Sequence, residues 1–163
     1  MKFEAHEYFL VSTERMRQAR RVHEQGGAYA LAMYSSGLAV ECMLRAFRWE
    51  KDKSFEGRHD LKDLLKASDF LKIDDEYSLS KRARIEDREG TGLNARMAMI
   101  EIQSLWHNNL RFASEASLLA YLRRIGRVGG IKGDPLKKNS TDLLEAAEMV
   151  VERGRILWNF ATR

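Results

Sequence analysis

An all-α helical bundle is the fold class this sequence predicts, and three observations predict it. Apolar residues recur three and four positions apart over long stretches, the spacing of one helix face. The only proline is Pro135, and most glycines gather at 26–27, 90–92 and 126–133, so the breaks between elements are few and grouped. No segment alternates apolar and polar residues between turn signals as a half-buried strand does. With 163 residues, 44% of them hydrophobic, the chain reads as one domain, 1–163, with a core of its own rather than a disordered tail.

The elements follow in order as a bundle of five to six helices. The first covers about Glu4–Glu24, with Ala5, Tyr8, Val11, Ser12, Ala19 and Val22 on one side, and Arg15 on that same side. Arg17, Arg20 and Arg21 fall opposite and read as solvated, and Gly26-Gly27 stops the helix. The second helix, about Ala28–Trp49, is apolar on every side through Val40, which requires neighbours all round it. A short third helix, about His59–Leu71, carries Leu61, Leu64, Leu65 and Leu71. The charged stretch 72–92 reads as an insertion or loop, with room for one short exposed helix. The fourth main helix spans about Leu93–Asn108, with Ala95, Met99, Ile102, Trp106 and Leu110 as its core stripe. Ser114 caps a fifth, about Glu115–Ile125, and the last runs about Thr141–Ala161, placing Leu143, Ala147, Val150, Gly154, Leu157 and Ala161 inward. Between them lies a glycine-rich basic loop, about 126–138.

Charge is uneven along the chain. Residues 1–90 hold 17 basic and 17 acidic residues, whereas residues 91–163 hold 11 and 7, so the whole net charge of +4 sits in the second part. Arg123, Arg124, Arg127, Lys132, Lys137 and Lys138 face only Asp134 within Tyr121–Lys138. Such a segment is either a solvated loop or, where its charges share a face, a binding patch for a polyanion such as RNA. Its glycines invite a phosphate-loop reading, but Gly-Lys-Ser/Thr is missing and no strand precedes it.

Several chemistries are excluded. One cysteine, Cys42, rules out an intramolecular disulfide and a cysteine-cluster zinc site, and on its apolar helix it reads as a small core residue. A di-iron bundle needs Glu-x-x-His on two helices, and Glu56–His59 is the single instance. No metal and no cofactor are expected. Gly26–Val40 carries no charge but is too short to span a membrane, and Met1–Glu7 has no apolar secretory core, so a reducing cytoplasm is the expected compartment.

The segment Gln25-Gly-Gly-Ala-Tyr-Ala-Leu-Ala-Met-Tyr-Ser-Ser-Gly-Leu-Ala-Val-Glu-Cys-Met-Leu-Arg-Ala-Phe47 resembles the opening helix pair of HEPN domains, the "higher eukaryotes and prokaryotes nucleotide-binding" superfamily. The glycine turn, the alanine-rich second helix and the Ala-x-Glu-x-x-Leu-Arg-Ala run from Ala39 to Ala46 carry the likeness, with His59-Asp-Leu-Lys-Asp-Leu-Leu65 as a second point of similarity. It covers about Glu4–Leu71; beyond that only helix order agrees. The resemblance implies a bundle that is commonly homodimeric. Active members are metal-independent ribonucleases with Arg, four to six residues, then His near a late helix.

This chain departs from that pattern. No arginine stands five to seven positions before His107. The one match, Arg17 with His23, lies on the first helix, where side chains six apart diverge by about 120°. His107 and Arg111, four apart at the end of the fourth helix, form the alternative catalytic pair, histidine moving a proton and arginine steadying phosphate charge. Otherwise Trp106 and Leu110 anchor that helix end, and His107 satisfies a backbone group. Arg15 on an apolar face calls for a carboxylate, and Glu41 on the second helix is the expected ion-pair partner.

The expected role is a non-catalytic HEPN-like binding or partner module of a nucleic-acid-related system, toxin–antitoxin or defence. The alternatives are a ribonuclease with the displaced His107/Arg111 site, and a nucleotide-binding accessory to a separately encoded nucleotidyltransferase.

Overall fold

The computed structural model describes residues 3–53, 60–80 and 91–162, without the side chains of residues 91–94. In chain order the helices are α1 (Ala5–Gln25), α2 (Tyr29–Lys51), α3 (Leu61–Ser68), α4 (Phe70–Leu79), α5 (Thr91–Leu105), a 3-10 turn at Asn108–Phe112, α6 (Glu115–Arg124) and α7 (Pro135–Ala161). No strand occurs among the described residues, so the all-α class stands.

Helix α2 is the axis of the bundle, as its all-round apolarity requires. Its buried residues include Met33, Ala39, Val40, Met43, Leu44, Ala46 and Phe47. Small side chains set the close approach of α1: Ala19 and Ala39 are fully buried, and Ser12 Oγ donates to the Ala39 carbonyl at 2.8 Å, satisfying a hydroxyl that water cannot reach. On the other side α7 crosses α2 where Gly154 meets Met43. Phe47 packs edge-on against both Phe70 and Trp158, and Phe9 stacks on Trp158 with ring centroids 5.2 Å apart, tying four helices into one aromatic cluster.

Glycine is required at Gly37. The Trp106 indole lies flat on α2 there, with no room for a Cβ, and its Nε1 donates to the Tyr34 carbonyl at 3.1 Å. A similar economy explains the start of α2, where Ala28 offers no capping side chain. Glu115 of α6 supplies the missing acceptor: its Oε1 takes the Ala30 N–H at 2.9 Å.

Three expectations are corrected. The described residues hold seven α-helices, one more than the bundle of five to six. The extra one arises at Asp69, whose left-handed backbone (φ 55°) ends α3 and starts α4, so that residues 72–79 of the charged stretch are helix rather than loop. That helix is not simply exposed, because Asp74 and Tyr77 are buried. The fourth main helix stops at Leu105, and His107 and Arg111 lie beyond it. The last helix begins at Pro135, so Lys137 and Lys138 sit on its first turns and not in a loop. His59, Glu56 and residues 81–90 lie outside the described residues.

Inside the bundle the α4–α7 contact rests on an ion pair. Arg153 Nε donates to Asp74 Oδ1 at 2.6 Å, with the two residues only 3% and 2% exposed. The same guanidinium reaches Ser78 Oγ at 3.1 Å and sits 4.9 Å from the Tyr77 ring centre. Burial pushes the Asp74 carboxyl above its ordinary value, and the Arg153 hydrogen bond pulls against that rise.

Candidate functional site

The six cations expected as a binding patch gather at one end of the bundle, because the chain between α6 and α7 is pinned there. The Arg127 N–H returns to the Leu122 carbonyl at 2.8 Å. Buried Asn139, on α7, donates to the carbonyls of Arg127 at 2.9 Å and Pro135 at 2.8 Å. Gly126, Gly130 and Gly133 all take positive φ, which lets this short loop fold back on itself. Asp134 Oδ1 accepts from the Leu136 and Lys137 N–H groups, and Pro135 fills the first helical position. That Asp-Pro pair is the start signal that sequence reasoning passed over for Asn139, Ser140 and Thr141.

The patch is smaller than its sequence suggests. Arg127 is paired with Glu101 at 2.7 Å and also donates to Ser104 Oγ at 2.7 Å, joining the loop to α5. Lys138 pairs with Asp142 one turn along α7, whose carboxylate holds the ammonium above its ordinary value. Arg123, Arg124, Lys132 and Lys137 are exposed and have no ion-pair partner among the described residues. Arg124 lies 5.7 Å from the Tyr121 ring centre, a contact that keeps a guanidinium available to solvent.

His107 and Arg111 are not one turn apart on a shared helix face. His107 is the N-cap of the 3-10 turn, its Nδ1 accepting the Asn109 N–H at 3.1 Å. A neutral ring that accepts at Nδ1 carries its proton at Nε2, so Nδ1 serves the backbone here. Arg111 instead lies 4.5 Å from the centre of the adjacent Phe112 ring. His107 borders a groove of about 250 Å³ with Asp60, Lys62, Gln103 and Asn108, and Arg111 does not line it.

The second histidine–arginine pair is also apart. His23 is half-buried, its ring between Ser140 Oγ (2.8 Å from Nδ1) and Thr141 Oγ1 (3.3 Å from Nε2), and it packs beside Tyr29. Arg17 is exposed in a groove between α1 and α7. The expected Arg15–Glu41 pair is replaced. Arg15 is exposed and donates to Gln18 at 2.7 Å, while buried Glu41 takes Arg45 Nε at 2.8 Å on its own helix. The face of α1 that α2 covers is narrower than the sequence implied, running through Ala5, Ser12, Met16 and Ala19.

Cys42 is buried, and burial pushes its thiol up to about 12, so it offers no thiolate near neutral pH. No three His, Cys, Asp or Glu side chains gather as a metal site among the described residues, and no described helix is long and apolar enough to cross a membrane.

Fold and site together define a class, an all-α bundle with a small uncompensated basic end. Comparison with protein-family models, with curated proteins and with solved structures finds no match to this chain.

Proposed function

We propose that this chain is a non-catalytic, HEPN-like binding and partner module, homodimeric and cytoplasmic, that engages RNA in a nucleic-acid-related system of the toxin–antitoxin or defence kind. The observation that carries the reading is the set Arg123, Arg124, Lys132 and Lys137, exposed at one end of the bundle without carboxylate partners. Cations left uncompensated around a pinned loop suit the evenly spaced phosphates of a nucleic acid backbone. The non-catalytic part of the reading draws support from His107 and Arg111, of which only His107 borders the groove beside the 3-10 turn while Arg111 lies over Phe112. The HEPN-like context itself rests on the resemblance of Gln25–Phe47.

The test is fluorescence anisotropy with a labelled single-stranded RNA across a salt series. Four phosphate contacts predict log K falling against log salt with a slope of about −3. Replacing Arg123, Arg124, Lys132 and Lys137 by alanine flattens that slope towards zero, whereas Lys138→Ala changes it by less than about one. Protein that fails to bind RNA at low salt, or binds it with no salt dependence, overturns the nucleic-acid reading. RNA cleaved by the salt-washed protein would overturn the non-catalytic one.

A further inference from the structure

From His107 to Arg127 the chain carries four arginines and a single acidic residue, Glu115. Folding takes that carboxylate off the surface: its Oε1 accepts the Ala30 N–H at 2.9 Å, and its Oε2 is buried. Arg127 is occupied by Glu101. Arg111, Arg123 and Arg124 are exposed and have no ion-pair partner among the described residues. Helix α6 and the 3-10 turn before it therefore offer cations to the solvent and no accessible carboxylate of their own.

Phe112 stands in that setting. At 76% exposure it is among the most exposed large apolar side chains of the described residues. Its backbone is held on both sides. The Asn109 N–H donates to His107 Nδ1 at 3.1 Å, Leu110 is buried, and the Ala113 N–H returns to the Leu110 carbonyl at 3.1 Å. The Arg111 guanidinium lies over one face of the ring, 4.5 Å from its centre. With so much of the residue in water, the ring keeps open surface beside a cation, the combination on which a nucleobase stacks. Ala116, Ser117 and Ala120, also exposed, put only small side chains between this turn and Arg123 and Arg124. The 10 residues of α6 span about 15 Å, which is about four or five nucleotides even at a stacked spacing of about 3.4 Å.

We propose that Phe112 is a stacking platform for a base of single-stranded RNA, whose phosphates follow α6 to Arg123 and Arg124. The proposal deepens the RNA reading above and rests on it, adding that the strand is single and naming the side chain that takes its base. A duplex cannot use this ring in the same way, because each paired base already lies between its neighbours.

Fluorescence anisotropy with a labelled single strand of about 12 nucleotides, and with a duplex of the same length, tests it. Phe112→Ala weakens binding of the single strand by about 5- to 150-fold, the loss of one stacked base. The salt slope stays that of wild type, since no phosphate contact is removed. Phe112→Trp keeps wild-type affinity or tightens it, and affinity for the duplex changes by less than about 2-fold in either variant. Circular dichroism stays that of wild type, as the ring lies outside the core. Wild type that binds no single-stranded RNA at low salt overturns the RNA reading and this platform with it. If wild type binds with the expected salt slope but Phe112→Ala binds equally well, or loses single strand and duplex alike, the platform is overturned and the RNA reading stands.

Discussion

Replacing Gly37 by alanine adds one methyl group where the bundle has no space for it. The new carbon would overlap Cδ1 and Nε1 of the Trp106 indole, a flat, rigid group wedged against α2 and bonded to the Tyr34 carbonyl. Two responses are open. If the helices shift, overpacking costs up to about 3 kcal/mol, and the indole hydrogen bond is lost for about 1 more. If the indole leaves its site, the loss resembles truncation of a buried tryptophan, about 4 kcal/mol. Alanine returns about 1 kcal/mol over glycine in a helix interior, so both routes converge on a net loss of about 3 kcal/mol. In a chain of this size that lowers Tm by about 6–12 °C. Gly154→Ala is the internal control. Its Cβ would fall 2.6 Å from Cγ and Sδ of Met43, whose flexible thioether can turn aside, so overpacking of about 1 kcal/mol cancels the helix gain. Urea unfolding followed by tryptophan fluorescence measures both. The reasoning is refuted if Gly37→Ala is as stable as wild type, if Gly154→Ala loses as much, or if Gly37→Ala is equally harmful in a Trp106→Leu background, where the overlapping ring is gone.

Removing one partner of the buried Asp74–Arg153 pair, as in Asp74→Ala, should destabilise by about 3–5 kcal/mol in denaturant unfolding, whereas the apolar double variant Asp74→Leu/Arg153→Met should recover most of that loss. Cys42 should resist iodoacetamide at pH 8 and react only as the protein unfolds, as followed by mass spectrometry. The thiol stands near 9.0 when exposed and about 12 when folded, so its contribution to stability is complete below pH 9 and lost between pH 9 and 12. Cys42→Ala should therefore lose less stability than wild type over that window.

Helix positions were legible because they are local. Apolar spacing placed α1 and α2 within a residue or two of their bounds, and Ser114 marked α6 with a hydroxyl that accepts the Ser117 N–H. What stayed hidden depends on partners distant in sequence. Asp74 and Arg153 are 79 positions apart, and Glu115 caps α2 from 85 positions beyond Ala30. Composition treats each of these as one more surface charge. Asp69 was hidden for another reason: a non-glycine residue in the left-handed region carries no strong local mark, so the split between α3 and α4 read as one helix followed by a charged loop. The candidate sites suffered most. The His107/Arg111 pair required α5 to continue through Asn108-Asn109, and the helix instead ends where His107 turns to cap the backbone.

The basic excess itself shows why position in the fold decides what a charge can do. Tyr121–Lys138 has six cations by count, and as equals they would form one broad patch. Folding separates them. Arg127 is drawn back onto Glu101 and fixes the loop, and Lys138 settles on Asp142 along its own helix. Neutralising either of these disturbs an internal contact, whereas neutralising Arg123, Lys132 or Lys137 removes only field that reaches the solvent. The same sorting operates on α1: Arg20 is held by Glu148, and Arg17 and Arg21 are left facing outward. A net charge of only +4 thus conceals a cluster of four cations without ion-pair partners among the described residues, Arg123, Arg124, Lys132 and Lys137, around the connection between α6 and α7.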